Sequence, residues 1–348
     1  MAHGVRYPVA DPADWAAIGR LSPLRRLALA LRERRYRRRA PPAADAAGAG
    51  LTPAGPVRPL AAGDLALVCV LRNVAAYLDA FLDHYRRLGV TRFVLVDDRS
   101  TDGTAERLAA QGDVDLFTAA ASFAEGGRGL AWRDALFTLY GRGRWYLNVD
   151  ADEFLVFPGS ETRRIPDLIA DLERAGRKRC LAPMLDLYPT GALRDADPSG
   201  GRHPLEVSPM IDGDGYEIRA EKFTLAVRGG PRTRLFGNAI RLTKFPLILV
   251  DEATSLAGGS IHGPLPIARN FAPVNAVLLH FKFSAASVEE FPRLAREGQH
   301  FGGSMFYRQI SEADGFGADL SLAYPGSLRV GDTQDLVRRG FMQDPRAP

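Results

Sequence analysis

Leu65-Ala66-Leu67-Val68-Cys69-Val70-Leu71-Arg72-Asn73 opens the part of the chain whose pattern decides the fold. The unbroken apolar run predicts a strand buried on both faces that emerges into solvent at Arg72. Leu78, Phe81, Leu82, Tyr85 and Leu88 then fall on one helical face, and Gly89 supplies the stop. Phe93-Val94-Leu95-Val96 reads as the next buried strand, Thr104 to Ala110 as a short helix behind the Asp102-Gly103 turn, and Val114 to Thr118 as a third strand. A helix over Leu130 to Tyr140 leads into Trp145-Tyr146-Leu147-Asn148-Val149. Strand and helix thus alternate from Leu65 to Asp152, which predicts an α/β protein with a doubly wound, mostly parallel sheet.

In such sheets ligands bind beyond the carboxyl ends of the strands. Three polar clusters follow the apolar runs and are expected to meet there: Arg72-Asn73, Asp97-Asp98-Arg99-Ser100 and Asp150-Ala151-Asp152. The last sets two carboxylates one residue apart where a buried strand surfaces. Carboxylate oxygens suit Mg²⁺ or Mn²⁺, and a cation held by one or two of them keeps open positions for the oxygens of a diphosphate. The loop Val96-Asp97-Asp98-Arg99-Ser100-Thr101-Asp102-Gly103-Thr104 is acidic and made of small polar residues, which suits the edge of a base and ribose hydroxyls. Neither G-x-x-x-x-G-K-[ST] nor G-x-G-x-x-G occurs, so kinase-like nucleotide binding and the usual dinucleotide fold lose support.

Downstream, Pro166 to Arg174 reads as helix and Cys180 to Leu187 as strand, followed by a Gly/Pro/Asp-rich loop from Thr190 to Gly215. Thr224-Leu225-Ala226-Val227, Ala239-Ile240-Arg241-Leu242 and the run Val277 to Phe283 read as strands separated by turns, giving a mixed, partly antiparallel C-terminal half. Upstream, residues 40–63 are dominated by Ala, Pro and Gly without apolar periodicity and read as a linker. Before it, Ser22 and Pro23 can start a helix in which Leu24, Leu27, Ala28 and Leu31 recur at helical spacing. Arg25, Arg26, Arg32, Arg34, Arg35, Arg37, Arg38 and Arg39 crowd into the same segment. Such a helix makes a peripheral contact with anionic lipid or another acidic partner, or stands as a solvated extension. Nothing in it reads nucleic acid.

With 348 residues, 46% of them hydrophobic, the chain can bury a substantial core. Its net charge of +4 is local rather than general. No apolar stretch approaches the ~18 residues a bilayer span needs, and the start lacks the apolar segment of a secretory signal, so cytoplasm is the expected compartment. Cys69 and Cys180 form neither a metal-ligand spacing nor a disulfide framework and read as reduced structural thiols.

The chain resembles the family 2 glycosyltransferases and their GT-A-fold relatives, including the family 92 type. The residues that carry the resemblance are Leu71-Arg72-Asn73 with Tyr77-Leu78 and Leu88-Gly89-Val90, the Asp-Asp-x-Ser-x-Asp-Gly-Thr loop at 97 to 104, and Asn148-Val149-Asp150-Ala151-Asp152-Glu153-Phe154. Later blocks are similar too: Gly229 to Phe236, Leu242 to Leu247, and Leu278 to Phe283. The resemblance implies transfer of a sugar from a nucleoside diphosphate sugar to a glycan, a lipid-linked acceptor or another hydroxyl. Nucleotide contacts are then expected at Arg72, Asn73, Asp97, Asp98 and Asp102, and a metal at Asp152 assisted by Asp150. A departing diphosphate gains negative charge, which a divalent cation and arginines stabilise. Arg128, Arg133, Arg232 and Arg234 are candidates for that help. His280 is either a further metal ligand or a hydrogen-bonded core residue. For the base that deprotonates the acceptor, Asp186 comes first, with Glu153, Asp251 and His262 open.

The implied organisation is a basic helix and linker over 1–63, a nucleotide-sugar-binding half over 64–157, an acceptor-side half of the same domain over 158–312, and a tail over 313–348. Two other functions compete. A sugar nucleotidyltransferase shares a related fold but needs a glycine-rich triphosphate loop near the first strand, which Leu71-Arg72-Asn73-Val74 does not supply. A non-catalytic binding protein could retain the fold and use the arginine-rich helix as its contact.

Overall fold

The computed structural model describes residues 4–38 and 45–346; Arg39 and residues 40–44 of the expected linker lie outside them. At its centre is a nine-stranded sheet. In chain order its strands are β1 (Leu51–Pro53), β2 (Ala66–Leu71), β3 (Arg92–Asp97), β4 (Val114–Ala119), β5 (Arg144–Asn148), β6 (Glu153–Val156), β7 (Arg179–Asp186), β8 (Thr243–Val250) and β9 (Val277–His280). In space they run β1-β4-β3-β2-β5-β8-β7-β9-β6.

The block β4-β3-β2-β5 is parallel, as the strand and helix alternation predicts. From β2 the chain works outward to β4 and then returns to the other side of β2 as β5. That reversal makes the gap beyond the ends of β2 and β5 the topological switch point, where the flanking loops diverge and a ligand can enter. The other side of the sheet is mixed. β8 is antiparallel to both β5 and β7, while β9 is parallel to β7 and antiparallel to β6.

The connecting helices follow their sequence patterns. Leu78–Arg87 buries Leu78, Phe81, Leu82 and Tyr85 against the sheet side of its amphipathic stripe. It ends at Gly89, whose φ of 97° lies in the left-handed region that a side chain resists. Leu130–Tyr140 is buried nearly all round, Arg133 and Asp134 included, so these two charges need partners inside the protein. The strands between them pack Leu67, Val68, Cys69, Phe93, Val94, Leu95, Tyr146 and Leu147 into one core. Both cysteines are buried and free.

Several expectations are corrected. The stretch read as linker contains β1, which pairs antiparallel with β4 at the sheet edge; three residues are too few to show periodicity, and Pro53 is tolerated on an edge strand. The strand expected over 239–242 starts only at Thr243 and continues to Val250. It passes Pro246 because the pairing with β7 is irregular between Lys244 and Leu247, where a ladder donor is dispensable. Inside the expected loop 190–215, Met210–Asp212 forms a short strand against Ser327–Arg329. Residues 313–348, read as a tail, therefore pack onto the body, and Leu336, Phe341 and Met342 are buried there. The N-terminal segment is tied in as well: Val5–Tyr7 pairs with Tyr216–Ala220, and Tyr7 donates its hydroxyl hydrogen to the Phe341 carbonyl at 2.6 Å.

Candidate functional site

On the parallel side of the switch point, the loops after β2 and β3 are laced together by backbone donors. The Asn73 N–H donates to Ser100 Oγ (2.9 Å) and the Thr101 N–H to Asn73 Oδ1 (2.8 Å). Val74 and Ala75 donate to Thr104 Oγ1 and Asp102 Oδ2, each at 3.0 Å. Asn73 takes a left-handed φ of 54°, which short amide side chains accept more readily than most. Asp102 also accepts from the Thr104 N–H and hydroxyl, so both its oxygens serve the loop itself. Asp97 Oδ2 accepts from the Ser100 N–H (3.1 Å), while its Oδ1 is buried with no hydrogen-bond partner. A buried acceptor left open in this way is costly unless something donates to it. Asp98 accepts from Arg99 (3.0 Å), and Arg72 reaches Glu297 (3.3 Å) on the rim.

On the mixed side, the register lines up charged groups across neighbouring strands. His280 of β9 stands opposite Asp186 of β7 and Glu153 of β6, so the three project from one row on one face. His280 Nδ1 hydrogen-bonds Asp186 Oδ1 at 2.6 Å, and its Nε2 lies 3.3 Å from Asp152 Oδ2. Arg232 clamps Asp186 from behind with two bonds of 2.6 and 2.9 Å. Asp152, Glu153 and His280 each bring one ligand atom within 4.8 Å of the others. Phe281 donates its N–H to the Asp152 carbonyl (2.8 Å), which fixes the turn against the end of β9.

Asp150 points elsewhere. Arg133 holds its Oδ1 at 2.7 Å and Lys244 its Oδ2 at 2.5 Å; Lys244 also ion-pairs with the buried Glu153. Burial works against ionisation of Asp150, but Lys244 and Arg133 outweigh it and hold the carboxyl down to about 2. Burial likewise opposes the charge on Asp152, and His280 overrides it, keeping that carboxyl well below the usual range. For Glu153 burial wins and the carboxyl is raised. Burial would lower His280, yet Asp152 and Asp186 together raise it. Asp186 is kept low by Arg232 and His280 against the cost of its burial.

These contacts change several assignments. Asp186 and Glu153 were candidates for the acceptor base, but they are 1% and 0% exposed and their oxygens are occupied inside the protein, so neither meets an acceptor hydroxyl. Asp251 is taken by Arg269 and Lys178, and His262 is tied to the Thr243 carbonyl. Arg232 and Arg234 were candidates for diphosphate contact. Arg232 is spent on Asp186, and Arg234 makes a bidentate pair with Asp212 and lies over the Tyr324 ring. Arg133 steadies Asp150 from within a helix, whereas Arg128 is exposed and lies over Phe301. Asp150, expected among the metal ligands, is held by Arg133 and Lys244, and Glu153, close to Asp152 and His280, is likewise engaged by Lys244 and the Asp150 N–H.

Two groups escaped the sequence reading. Lys244, inside the apolar run of β8, is the lysine that neutralises Asp150 and Glu153. A lone lysine in a buried strand was the available signal, because it must find carboxylates there. Lys282, two residues past His280, donates to the Tyr307 hydroxyl at 2.7 Å and sits against the Phe291 and Tyr307 rings. Burial opposes its charge, and Tyr307 and Asp152 restore it.

No family model and no curated protein matches the chain. Among solved structures, it is similar to 4-diphosphocytidyl-2C-methyl-D-erythritol synthase at 15% identity, over 53% of this chain and 75% of that one, with a TM-score of 0.26. It is similar also to HddC from Yersinia pseudotuberculosis at 8% identity, over 53% and 73% of the two chains, with a TM-score of 0.27.

Proposed function

We propose that the chain is a metal-dependent glycosyltransferase that moves a sugar from a nucleoside diphosphate sugar to a hydroxyl of a glycan or lipid-linked acceptor. The observation that carries this is the meeting of Asp152, in the turn after β5, with His280 Nε2, while the interlaced loops of Asn73 and Asp97 to Asp102 follow the parallel neighbours β2 and β3. Asp186 accepts from Nδ1–H and so fixes the ring with Nε2 toward Asp152, the arrangement that orients a histidine toward a metal, which would take the place of the Nε2 proton. One carboxylate and one imidazole suit Mn²⁺ better than Mg²⁺, since magnesium favours oxygen donors alone. Bound there, the cation would neutralise charge on a leaving diphosphate.

The chain's own residues supply the remainder. The open Oδ1 of Asp97 is an acceptor for an N–H on the edge of a base, and Asp98 and Asn73 border the same loop. Lys282 offers a fixed positive charge near Asp152 for a phosphate oxygen. Asp150, with Arg133 and Lys244, keeps the acidic turn in shape.

Thermal stabilisation by nucleoside mono-, di- and triphosphates, with and without Mn²⁺, tests this reading, because a ligand selective for the folded state raises the melting temperature. A diphosphate preference that requires Mn²⁺ supports sugar transfer. A triphosphate preference would make the chain a nucleotidyltransferase, and indifference to every nucleotide would make it a binding protein. Asp152→Asn is expected to remove the Mn²⁺-dependent part of the shift and keep the metal-free melting temperature; an undiminished Mn²⁺ response would take Asp152 out of the site.

A further inference from the structure

The helix Pro23–Arg37 is fastened to the body along one side and carries leucines on the other. Leu29 is buried, 3% exposed, in a small cluster with Leu265 and Ile267. Arg25 donates to the carbonyls of Ala220 and Glu221 (3.0 and 3.1 Å), Arg32 to that of Lys222 (2.9 Å) and Arg37 to that of Ala253 (2.7 Å). Glu33 accepts from the Ile267 N–H at 2.8 Å. These anchors fix the rotation of the helix about its axis.

The opposite side is then fixed too. Leu24, Leu27 and Leu31 follow one another along one helical face and are 81%, 59% and 54% exposed. The helix docks through Leu29 and its polar anchors and turns this stripe outward. Arg34, Arg35 and Arg38 border the stripe, and residues 23–38 carry seven arginines against the single Glu33. Beside it, Arg32, Arg35, Tyr36 and Lys222 line a cavity of about 180 Å³.

We infer that this face is a docking surface for a bilayer with anionic headgroups. The leucines enter the acyl boundary, while arginine stems lie along it with their guanidinium groups at the phosphates. The Arg32, Arg35, Tyr36 and Lys222 cavity takes a headgroup phosphate, for which three cations and a phenol are suited donors. A second copy of the same helix fits badly, because it would bring arginines against arginines. No helix among the described residues is long and apolar enough to cross a membrane, so the contact lies along the surface. The inference stands independently of the transferase reading.

Flotation of the full chain with vesicles of phosphatidylcholine, with and without phosphatidylglycerol, tests it. Binding is expected only with phosphatidylglycerol and is expected to weaken with added salt, since exposed charges are screened. Combined Leu24→Glu, Leu27→Glu and Leu31→Glu should lower partitioning by ~tenfold or more at an unchanged melting temperature, because three inserted apolar side chains are lost. Combined Arg34→Gln, Arg35→Gln and Arg38→Gln should abolish the preference for phosphatidylglycerol. Failure of the wild type to float with anionic vesicles, or equal flotation of the leucine variant, overturns the inference. So does concentration-dependent dimerisation that the leucine variant removes, or capture of the stripe by an acidic protein while anionic vesicles fail.

Discussion

The two sides of the switch point hold their polar groups by opposite means. After β2 and β3, acidic and amide side chains accept from backbone N–H groups of the two interlaced loops. Across β8, β7, β9 and β6, carboxylates meet cations inside the sheet: Asp150 and Glu153 with Lys244, Asp186 with Arg232 and His280. A loop held by its own backbone can yield to a ligand and recover. A buried charge row cannot lose one member without stranding another, so it serves to hold a fixed geometry rather than to adapt.

The sharpest way to break this contrast is Lys244→Met, which leaves the buried Glu153 without its counter-ion and Asp150 with Arg133 alone. It should cost about 3–5 kcal/mol in urea unfolding, whereas Arg72→Met, losing only a rim pair, should cost below about 1 kcal/mol. Equal losses would end the distinction. Next comes Asp186→Asn, which leaves His280 without its carboxylate acceptor. Mn²⁺ affinity measured by calorimetry should fall ~10–100-fold while metal-free nucleotide binding stays as it was.

A third test uses acid. Asp150 has its folded value pressed down to about 2 by Lys244 and Arg133, against the burial that opposes them, so its contribution is present above the ordinary carboxylate range and lost as pH falls through about 2. The urea midpoint of metal-free protein should therefore decline from pH 4 to pH 2, and Asp150→Asn should flatten that decline. A loss between those of Lys244→Met and Arg72→Met is expected from Asn73→Ala, about 1 kcal/mol for the lost loop bond. It should weaken nucleotide binding and leave Mn²⁺ affinity without nucleotide unchanged.

The same contrast explains what the sequence disclosed. On the parallel side each strand and the polar residues that follow it are contiguous, so the run Leu65 to Asn73 or Val96 to Thr104 declares strand, loop and chemistry together. The succession of β2, β3, β4 and β5 and the parallel pairing of these strands were readable for that reason. On the mixed side Lys244, Asp186, Arg232 and His280 stand alone in their segments. Their meaning comes from strand register, which local spacing does not encode, so Asp186 read as a base when it is the support behind His280. The leucine stripe was legible in another way: helical periodicity finds an apolar face but says nothing about which face the body covers.

The row through Asp186, His280 and Asp152 joins residues 94 positions apart on β7 and β9 to a turn that precedes both. No partly assembled chain can offer it, since its members become neighbours only when distant strands have paired in register. Mn²⁺ would therefore act as a late-stage selector, drawing the population toward the finished sheet and ignoring every collapsed form short of it.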